Sequence, residues 1–276
     1  MARMLLAQPC STAVVGPTGV WHHASQIDLH QRGFRYEYDR HLAHALVGFL
    51  LAERATSLFD AGAGIGTYLS SVRVFGIAVA GVDGSSVAAS SADGLVQLGD
   101  LTDFAESGRD ELIFKPSARA DVADWVLSLE VGEHIPRSLE PRFVYALHRL
   151  NRHGIVISWS CRGDREVGTG HVNPRENSEV VDIFSRLGYV LDRRETARLR
   201  NASGRAGECC HYFRETLLVL RRTQPPSEVT SADVADATLL ATLEACFPLG
   251  RDQMQKCCAD PSNGCFNFAY RRDDCC

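Results

Sequence analysis

The chain has 276 residues, enough for one large domain or for a domain with an appendage. Its 45% hydrophobic and 23% charged residues are typical of globular proteins, and its formal net charge of −5 argues against a nucleic-acid-binding protein. No apolar run reaches the roughly 18–20 residues that a membrane span needs. Residues 1–16 are a poor secretory signal because Gln8 and Pro9 interrupt a short apolar patch. We therefore expect a cytoplasmic protein without a membrane partner, and a cleaved organelle-targeting segment stays open as the alternative.

Hydrophobic periodicity predicts alternating helices and strands along most of the chain. The helical spacing of Leu42, Leu46, Phe49 and Leu50 predicts a helix over 39–51. Buried strands are then expected at 56–60, 76–84, within 93–102, and at 123–131, 153–160, 189–192 and 211–222. Helices are expected at 65–73, 85–91, 136–150, 173–189, 193–202 and 234–247.

This alternation predicts an α/β fold whose largely parallel sheet is covered by helices on both faces. The rhythm breaks near residue 189, where a short strand, a helix and a long strand follow one another, so we expect the final strand to insert antiparallel. We divide the chain into an N-terminal segment over 1–38 that partly covers the active site and a main domain over 39–222. Residues 223–276 form a linker, a short helix and a cysteine-rich tail.

Cysteines are concentrated at the C-terminal end, with six of the ten in the last 31 residues. A disulfide-rich secreted domain would distribute its cysteines through its core, so we expect the body of the chain to be reduced. The tail contains no CxxC pair. It is either a redox-active or metal-binding appendage or an incidental segment.

A glycine-rich loop, "DAGAGIG", follows the strand over 56–60 and carries Gly62, Gly64 and Gly66. Glycines at such a turn let the backbone approach a ligand closely, and the following helix N-terminus offers unpaired N–H groups. A phosphate-binding P-loop is excluded because Thr67 and Tyr68 stand where that motif needs lysine and a hydroxyl residue. The spacing also departs from the GxGxxG pattern of dinucleotide sites.

Three aspartates follow successive predicted strands. Asp60 directly precedes the glycines, where a carboxylate suits a cationic amino group and would repel a pyrophosphate. Asp83 lies about 20 residues after the loop, the usual place of an acid that binds ribose hydroxyls. Asp100 follows the third strand, where it can meet an adenine amino group. Together these positions favour S-adenosyl-L-methionine as the ligand.

With these motifs the chain resembles the class I S-adenosylmethionine-dependent methyltransferases. "FDAGAGIG", "GVDGSS", "GDLTD" and "DWVLSLEVGEHIP" resemble the first four motifs of that family, in order, within residues 39–222. The resemblance implies a three-layer, Rossmann-like, seven-stranded and mostly parallel sheet with an antiparallel last strand. It also implies methyl transfer to an oxygen or nitrogen of a small or medium polar acceptor. Cofactor contacts are expected from Asp60, Gly62, Gly64, Gly66, Asp83, Gly84, Asp100, Leu101 and Glu130.

Acceptor-side chemistry is expected after the fourth and fifth strands. "SLEVGEHIP" supplies Glu130, Glu133 and His134, and the next loop supplies His171. Two carboxylates and two imidazoles can bind a divalent metal, and the pattern is similar to that of ubiquinone-pathway O-methyltransferases and of small-RNA 3′-end 2′-O-methyltransferases. By that resemblance Mg²⁺ would bind these four residues. The alternative is a metal-free site in which Glu133, His134 and His171 are catalytic and His134 is the general base.

Other polar residues are candidates for acceptor contacts. In the loop after the fifth strand they are Arg162, Arg165, Asn173 and Arg175. We favour Asn173, which precedes Pro174, as a helix N-cap, and the alternative for the arginines is that they are solvated surface residues. In the N-terminal segment they are Tyr36, Tyr38 and His41.

Two other functions stay open. A metal-assisted RNA 3′-terminal 2′-O-methyltransferase would need a basic path on the acceptor side, and the acidic net charge disfavours it. A non-catalytic scaffold with a methyltransferase fold is the alternative from a different class, and the intact glycines and acids disfavour it.

Overall fold

The computed structural model describes residues 14–22, 36, 38–103, 122–161, 170–204, 210–224, 229–246 and 251–259. Two strands form an N-terminal hairpin, β1 (Val14–Val15) and β2 (Trp21–His22). The other seven are β3 (Ser57–Ala61), β4 (Ala78–Asp83), β5 (Val96–Leu98), β6 (Ala123–Leu129), β7 (Asn151–Ser158), β8 (Tyr189–Leu191) and β9 (Leu218–Arg222).

Helices separate these strands. They are α1 (Arg40–Ala52), α2 (Thr67–Arg73), α3 (Ser86–Ser90), α4 (Glu140–Leu150), α5 (Asn177–Arg186), α6 (Arg193–Ala202), α7 (Phe213–Thr216), α8 (Ser231–Cys246) and α9 (Arg251–Ala259). A 3₁₀ turn at Gly132–His134 follows β6. Among these helices, none combines the length and the apolarity of a membrane span.

The seven strands form one sheet in the order β5-β4-β3-β6-β7-β9-β8. Strands β3 to β7 pair in parallel, whereas β9 is antiparallel to both β7 and β8. The predicted fold class is therefore confirmed. The chain order reverses between β3 and β6, and open α/β sheets bind ligands at the carboxyl ends of the strands beside such a switch point.

Both faces of the sheet are buried under helices, which gives three layers. One hydrophobic cluster joins the sheet to α4, α5 and α8 through side chains such as Phe143, Phe184 and Val234. The other joins it to α1, α2 and α6 through side chains such as Leu46 and Leu69. This two-sided burial explains why the parallel strands are almost continuously apolar in the sequence.

Two predicted elements differ from the structure. The helix expected from Asn173 begins at Asn177, because Glu176 and Glu179 form a capping box one turn later. The Asn173 side chain instead donates to Glu140, 2.5 Å away. The long strand expected over 211–222 is divided into α7 and β9, and within α7 the Thr216 hydroxyl donates to the carbonyl of Tyr212.

The expected reduced state of the body is not found at Cys210. This residue is disulfide-bonded, as are Cys246, Cys257 and Cys258 near the C-terminal end, whereas Cys161 is not in a disulfide. Disulfides persist mainly in oxidising compartments. A cytoplasmic location therefore stays a prediction, one that these bonds do not favour.

Two glycines, one in the sheet and one in helix α1, differ in the space around them. A Cβ added at Gly154 in β7 would lie 2.3 Å from the Leu220 carbonyl oxygen and 2.5 Å from the Trp125 ring, whereas one at Gly48 in α1 would meet nothing within 4 Å. We expect Gly154→Ala to lower the free energy of unfolding by about 1–3 kcal/mol through overpacking. We expect Gly48→Ala to raise it by about 0.5–1 kcal/mol through helix propensity. Urea unfolding measures both, and equal midpoints for Gly154→Ala and the wild type would contradict this packing.

Candidate active site

A cavity of about 630 Å³ opens at the carboxyl ends of β3 to β6. Loops after these strands line it, together with residues 18–20 of the hairpin and residues 211–213 before and at the start of α7. All of the predicted cofactor residues except Gly66 lie on its wall, as do Glu133, His134 and His171. The switch point of the sheet thus coincides with a ligand-sized pocket.

The glycine loop needs glycine for two different reasons. Gly62 and Gly64 line the cavity with φ of +87° and +54°, and a Cβ at these residues would lie 2.3 Å from Val131 and 2.6 Å from the Tyr36 ring. Gly66, with φ of +73°, is the N-cap of α2 and packs towards Ala92 instead. The structure therefore places Gly66 in the scaffold of the loop, away from the cavity wall.

Asp83, at the end of β4, fixes the glycine loop. One carboxylate oxygen accepts a hydrogen bond from the Gly64 N–H at 2.7 Å, and the other accepts one from the Ser85 N–H at 2.8 Å. A carboxylate can accept about four hydrogen bonds, so both oxygens can still accept from a ligand. Burial raises the pKa of Asp83 despite these two bonds.

Asp60 is the last polar residue before the glycines and is 3% exposed. Burial, followed by the charge of nearby Asp83, raises the pKa of Asp60 to about 8. A cation in the cavity would counter both effects, because an opposite charge within a few ångströms favours the ionised carboxyl. The geometry therefore suits a ligand with a positively charged group at this end.

The hairpin packs on the same edge of the sheet. A Cβ at Gly84 would lie 2.4 Å from Val20, and one at Gly19 would lie 2.4 Å from the His134 carbonyl oxygen. At the neighbouring corner, Asp100 accepts hydrogen bonds from the Thr102 N–H and hydroxyl at 2.8 and 2.7 Å. Leu101 lines the cavity beside it. Close backbone contacts thus define this wall.

Three predicted acceptor-side residues converge. Glu133, His134 and His171 each offer a ligand atom, and these atoms lie within 4.8 Å of one another. Glu133 is fully buried, and neither of its carboxylate oxygens has a hydrogen-bond partner within the described ranges. Burial and then the neighbouring Glu130 carboxylate raise the pKa of Glu133 well above its ordinary range. We refer to these three residues as the acceptor cluster.

His134 is held in one orientation by its Nδ1, which lies 3.1 Å from the Gly170 carbonyl oxygen. A carbonyl only accepts, so this bond places the proton on Nδ1 and leaves Nε2 as the basic nitrogen. Burial, only partly offset by this hydrogen bond, lowers the pKa of His134 to about 4. The imidazole is therefore neutral at pH 7, and its ring meets that of His171 edge-on with centroids 5.0 Å apart.

Glu130 lies beside the acceptor cluster and outside it. Its backbone adopts a φ of +54°, which is rare for a residue with a side chain and typical of strained functional sites. Its N–H donates to the Ser158 hydroxyl at 2.9 Å, and its Oε1 accepts from the Thr216 hydroxyl at 3.4 Å. Of the four predicted metal ligands, Glu133, His134 and His171 therefore form one group, and Glu130 lies beside that group.

Other sequence candidates have different places. Tyr36 lines the cavity, whereas Tyr38 bonds to the Ser71 hydroxyl at 2.7 Å and His41 belongs to α1, and the cavity wall includes neither. Arg175 and Asn173 are buried among polar partners and lie outside the cavity wall, so the structure places neither at the acceptor, and Asn173 is also not the helix N-cap that the sequence favoured. Arg162 and Arg165 lie outside the described residues.

Sequence reasoning missed several lining residues. They are Thr18, Gly19, Val20, Tyr68, Ser160, His211, Tyr212 and Phe213. The aromatic pair Tyr212–Phe213 offered a signal, since it precedes the last strand, but its residues were assigned to that strand.

No protein-family model matches the chain, and no curated protein matches it. Among solved structures it is similar to magnesium protoporphyrin IX methyltransferase (ChlM) from Synechocystis PCC 6803 with bound SAH, at 18% identity over 66% of this chain and 82% of that chain, with a TM-score of 0.46. It is also similar to the plantazolicin methyltransferase BpumL in complex with SAH, at 14% identity over 67% and 83%, with a TM-score of 0.45. The methyltransferase domain of bacterial CtHen1-C is similar at 16% identity over 66% and 97%, with a TM-score of 0.45.

The raised pKa of Asp60 makes stability depend on pH. From about pH 4 to pH 8 the folded protein retains a proton on Asp60 that the unfolded chain has released. This group therefore lowers the free energy of unfolding as pH rises through that window, by up to about 1.4 kcal/mol per pH unit. Asparagine cannot ionise, so we expect Asp60→Asn to gain stability relative to the wild type up to pH 8.

Urea unfolding of the unliganded protein at pH 6, 7 and 8 measures this difference. Asp103→Asn is the matched control, because Asp103 is an exposed acid after β5 that is absent from the cavity wall. Parallel stability curves for Asp60→Asn and the wild type would contradict the expectation.

Proposed function

We propose that the chain is an S-adenosylmethionine-dependent methyltransferase acting on an oxygen or nitrogen of a small or medium polar acceptor. Residues 39–222 are proposed as the catalytic domain, with part of the N-terminal segment covering it. The observation that carries the proposal is a continuous cavity that joins the glycine loop and three aspartates to the acceptor cluster. The end with the glycine loop and the aspartates suits a cationic nucleoside. The end with the acceptor cluster suits an acceptor group that loses a proton on methylation.

The cofactor end matches S-adenosylmethionine group by group. Its ammonium would lie against Asp60, whose raised pKa a nearby cation would lower. Its ribose hydroxyls would donate to Asp83, and its adenine amino group would donate to Asp100. The backbone of Gly62 and Gly64 lets the ligand approach where a side chain would collide.

The acceptor cluster would align the nucleophile with the methyl group. Methyl transfer is a displacement at an already reactive carbon, so orientation and exclusion of water contribute most of what the protein supplies. His134 has the correct neutral form at pH 7, but its lowered pKa makes it a weak base, which favours a role in orienting the acceptor. The buried, unbonded carboxyl of Glu133 favours an acceptor that presents an O–H or N–H donor.

The described lining of the cavity contains no lysine or arginine. A polynucleotide acceptor would be bound mainly through its phosphates. This composition favours an uncharged or hydrogen-bond-donating acceptor over the 3′ end of an RNA.

A metal-assisted variant is the second candidate, supported by the 4.8 Å grouping of Glu133, His134 and His171. One carboxylate and two imidazoles suit a divalent transition metal better than Mg²⁺, which prefers oxygen ligands in octahedral geometry. Glu130 would have to join the group to make the site richer in oxygen. A bound metal would act as a Lewis acid and lower the pKa of a hydroxyl acceptor.

Calorimetry with S-adenosylhomocysteine tests the cofactor assignment without turnover. We expect micromolar binding by the wild type, with release of a proton near pH 7 as the ligand ammonium lowers the pKa of Asp60. Titrations in two buffers of different ionisation enthalpy measure that proton. Asp60→Asn should weaken binding by about 10–100-fold, because it removes a charged hydrogen-bond partner, and should abolish the proton release.

Asp103→Asn is again the control and should bind like the wild type. Absence of binding by the wild type would favour the scaffold alternative. Equal affinity and equal proton release for Asp60→Asn would refute the assignment of Asp60 to the ammonium.

Cobalt absorption spectroscopy tests the metal-assisted variant. We expect metal-free protein to bind one Co²⁺ with a visible spectrum of bound imidazole, and His171→Ala or Glu133→Gln to weaken that binding at least about tenfold. His211→Ala is the control, since His211 lines the cavity outside the cluster. Competition by Mg²⁺ then measures its relative affinity. The same Co²⁺ affinity in His171→Ala and the wild type would exclude this metal site.

A further inference from the structure

A buried ionic network lies behind the acceptor cluster. The Arg175 guanidinium, 1% exposed, makes a two-pronged contact with Glu140 at 2.6 and 2.7 Å and a third contact with Glu179 at 2.9 Å. None of these three residues belongs to the described wall of the cavity. Burying two carboxylates and one guanidinium costs desolvation free energy, and such ion pairs often add little net stability. The role of this network therefore lies in the part of the chain that it holds in place.

The network holds the segment that carries His171. The backbone N–H of Arg175 donates to the Ser160 carbonyl at 2.9 Å, and the side-chain amide of Asn173 donates to the Glu140 carboxylate. On the other side of this segment, the N–H groups of Val172 and Asn173 both donate to the Glu133 carbonyl at 2.8 Å. Residues 170–175 are therefore fastened between the backbone of the acceptor cluster and a buried guanidinium.

Helix α8 completes the network from outside the seven-stranded fold. The Thr242 hydroxyl accepts from Arg175 Nη2 at 2.8 Å and from Arg137 Nη1 at 3.3 Å, and it donates to the Thr238 carbonyl at 2.9 Å. One donor and two acceptor sites are all that a hydroxyl offers. The Thr242 hydroxyl therefore uses all of its hydrogen-bonding capacity, and its bond to the Thr238 carbonyl of the same helix fixes its orientation.

We propose that Thr242 of α8 and Arg175 are positioning residues that set the His171 imidazole against Glu133 and His134. Helix α8, in the C-terminal segment, then supports the acceptor site although none of its residues lies on the described cavity wall. The inference rests on the proposed function only in taking the acceptor cluster as the place of reaction. The cofactor end is lined by the loops after β3 to β5, whereas the main helix contacts of α8 are with α4 and α5.

Three variants on one face of α8 test the proposal. Thr242→Val removes the hydroxyl that holds Arg175, and Thr242→Ser restores it. Thr238→Val is the matched control, because Thr238 is one turn away and is similarly buried, at 4% against 7%. Its hydroxyl donates to the Ala235 carbonyl of its own helix and, among the described residues, makes no contact with Arg175. The readouts are the imidazole ¹⁵N shifts of His134 and His171 at fixed pH, amide exchange at Val172 and Asn173, and affinity for S-adenosylhomocysteine.

We expect Thr242→Val to shift both imidazole signals and to speed amide exchange at Val172 and Asn173 about tenfold or more. Thr242→Ser and Thr238→Val should resemble the wild type. If Thr242→Val does not fold, Arg175→Lys takes its place, because it keeps the positive charge but cannot make all three contacts. Unshifted imidazole signals in a folded Thr242→Val or Arg175→Lys would overturn the proposal.

The S-adenosylhomocysteine titration separates this result from the proposed function. All α8 variants should retain wild-type affinity. A wild type that binds no S-adenosylhomocysteine would refute the cofactor assignment, whereas the imidazole shifts would still decide whether α8 positions His171.

Discussion

Burial of carboxyl groups around one cavity is the constraint on which this site depends. Asp60, Asp83 and Glu133 all face the space at the strand ends, and for each of them burial is the largest cause of a raised pKa. Parallel strands force this convergence, since their carboxyl ends meet at the same edge of the sheet. The fold holds these groups in an unfavourable environment that a cationic ligand would relieve. A sulfonium nucleoside with an ammonium group supplies two positive charges to such a site.

Much of the fold followed from local sequence. Strands β3, β4, β6 and β7 each contain a short, largely apolar run, and glycines and polar turns bound these runs in the sequence. Asp60, Asp83 and Asp100 could be placed because each ends or follows a strand, and the topology then brings them together. The antiparallel β9 could be anticipated because the alternation of strand and helix fails before it.

The remaining features depend on partners that are distant in sequence. Arg175 looked like a surface residue of a polar loop, yet its partners Glu140 and Thr242 are 35 and 67 residues away. Gly66 looked like a ligand contact, because spacing alone does not tell a glycine on the cavity wall from one that caps a helix. Glu130 could not be separated from Glu133 for a similar reason, since spacing alone shows neither the left-handed backbone at Glu130 nor its contact with the Thr216 hydroxyl.

The contact between Tyr36 and the glycine loop has a consequence for ligand exchange. The ring lies so close to Gly64 that even one added carbon would be 2.6 Å from it, and Tyr36 also lines the cavity. A ligand that lies directly on the Gly64 backbone therefore competes with this ring for the same surface. Binding of such a ligand would then require this aromatic side chain to move first, so the association rate would be sensitive to a residue of the N-terminal segment.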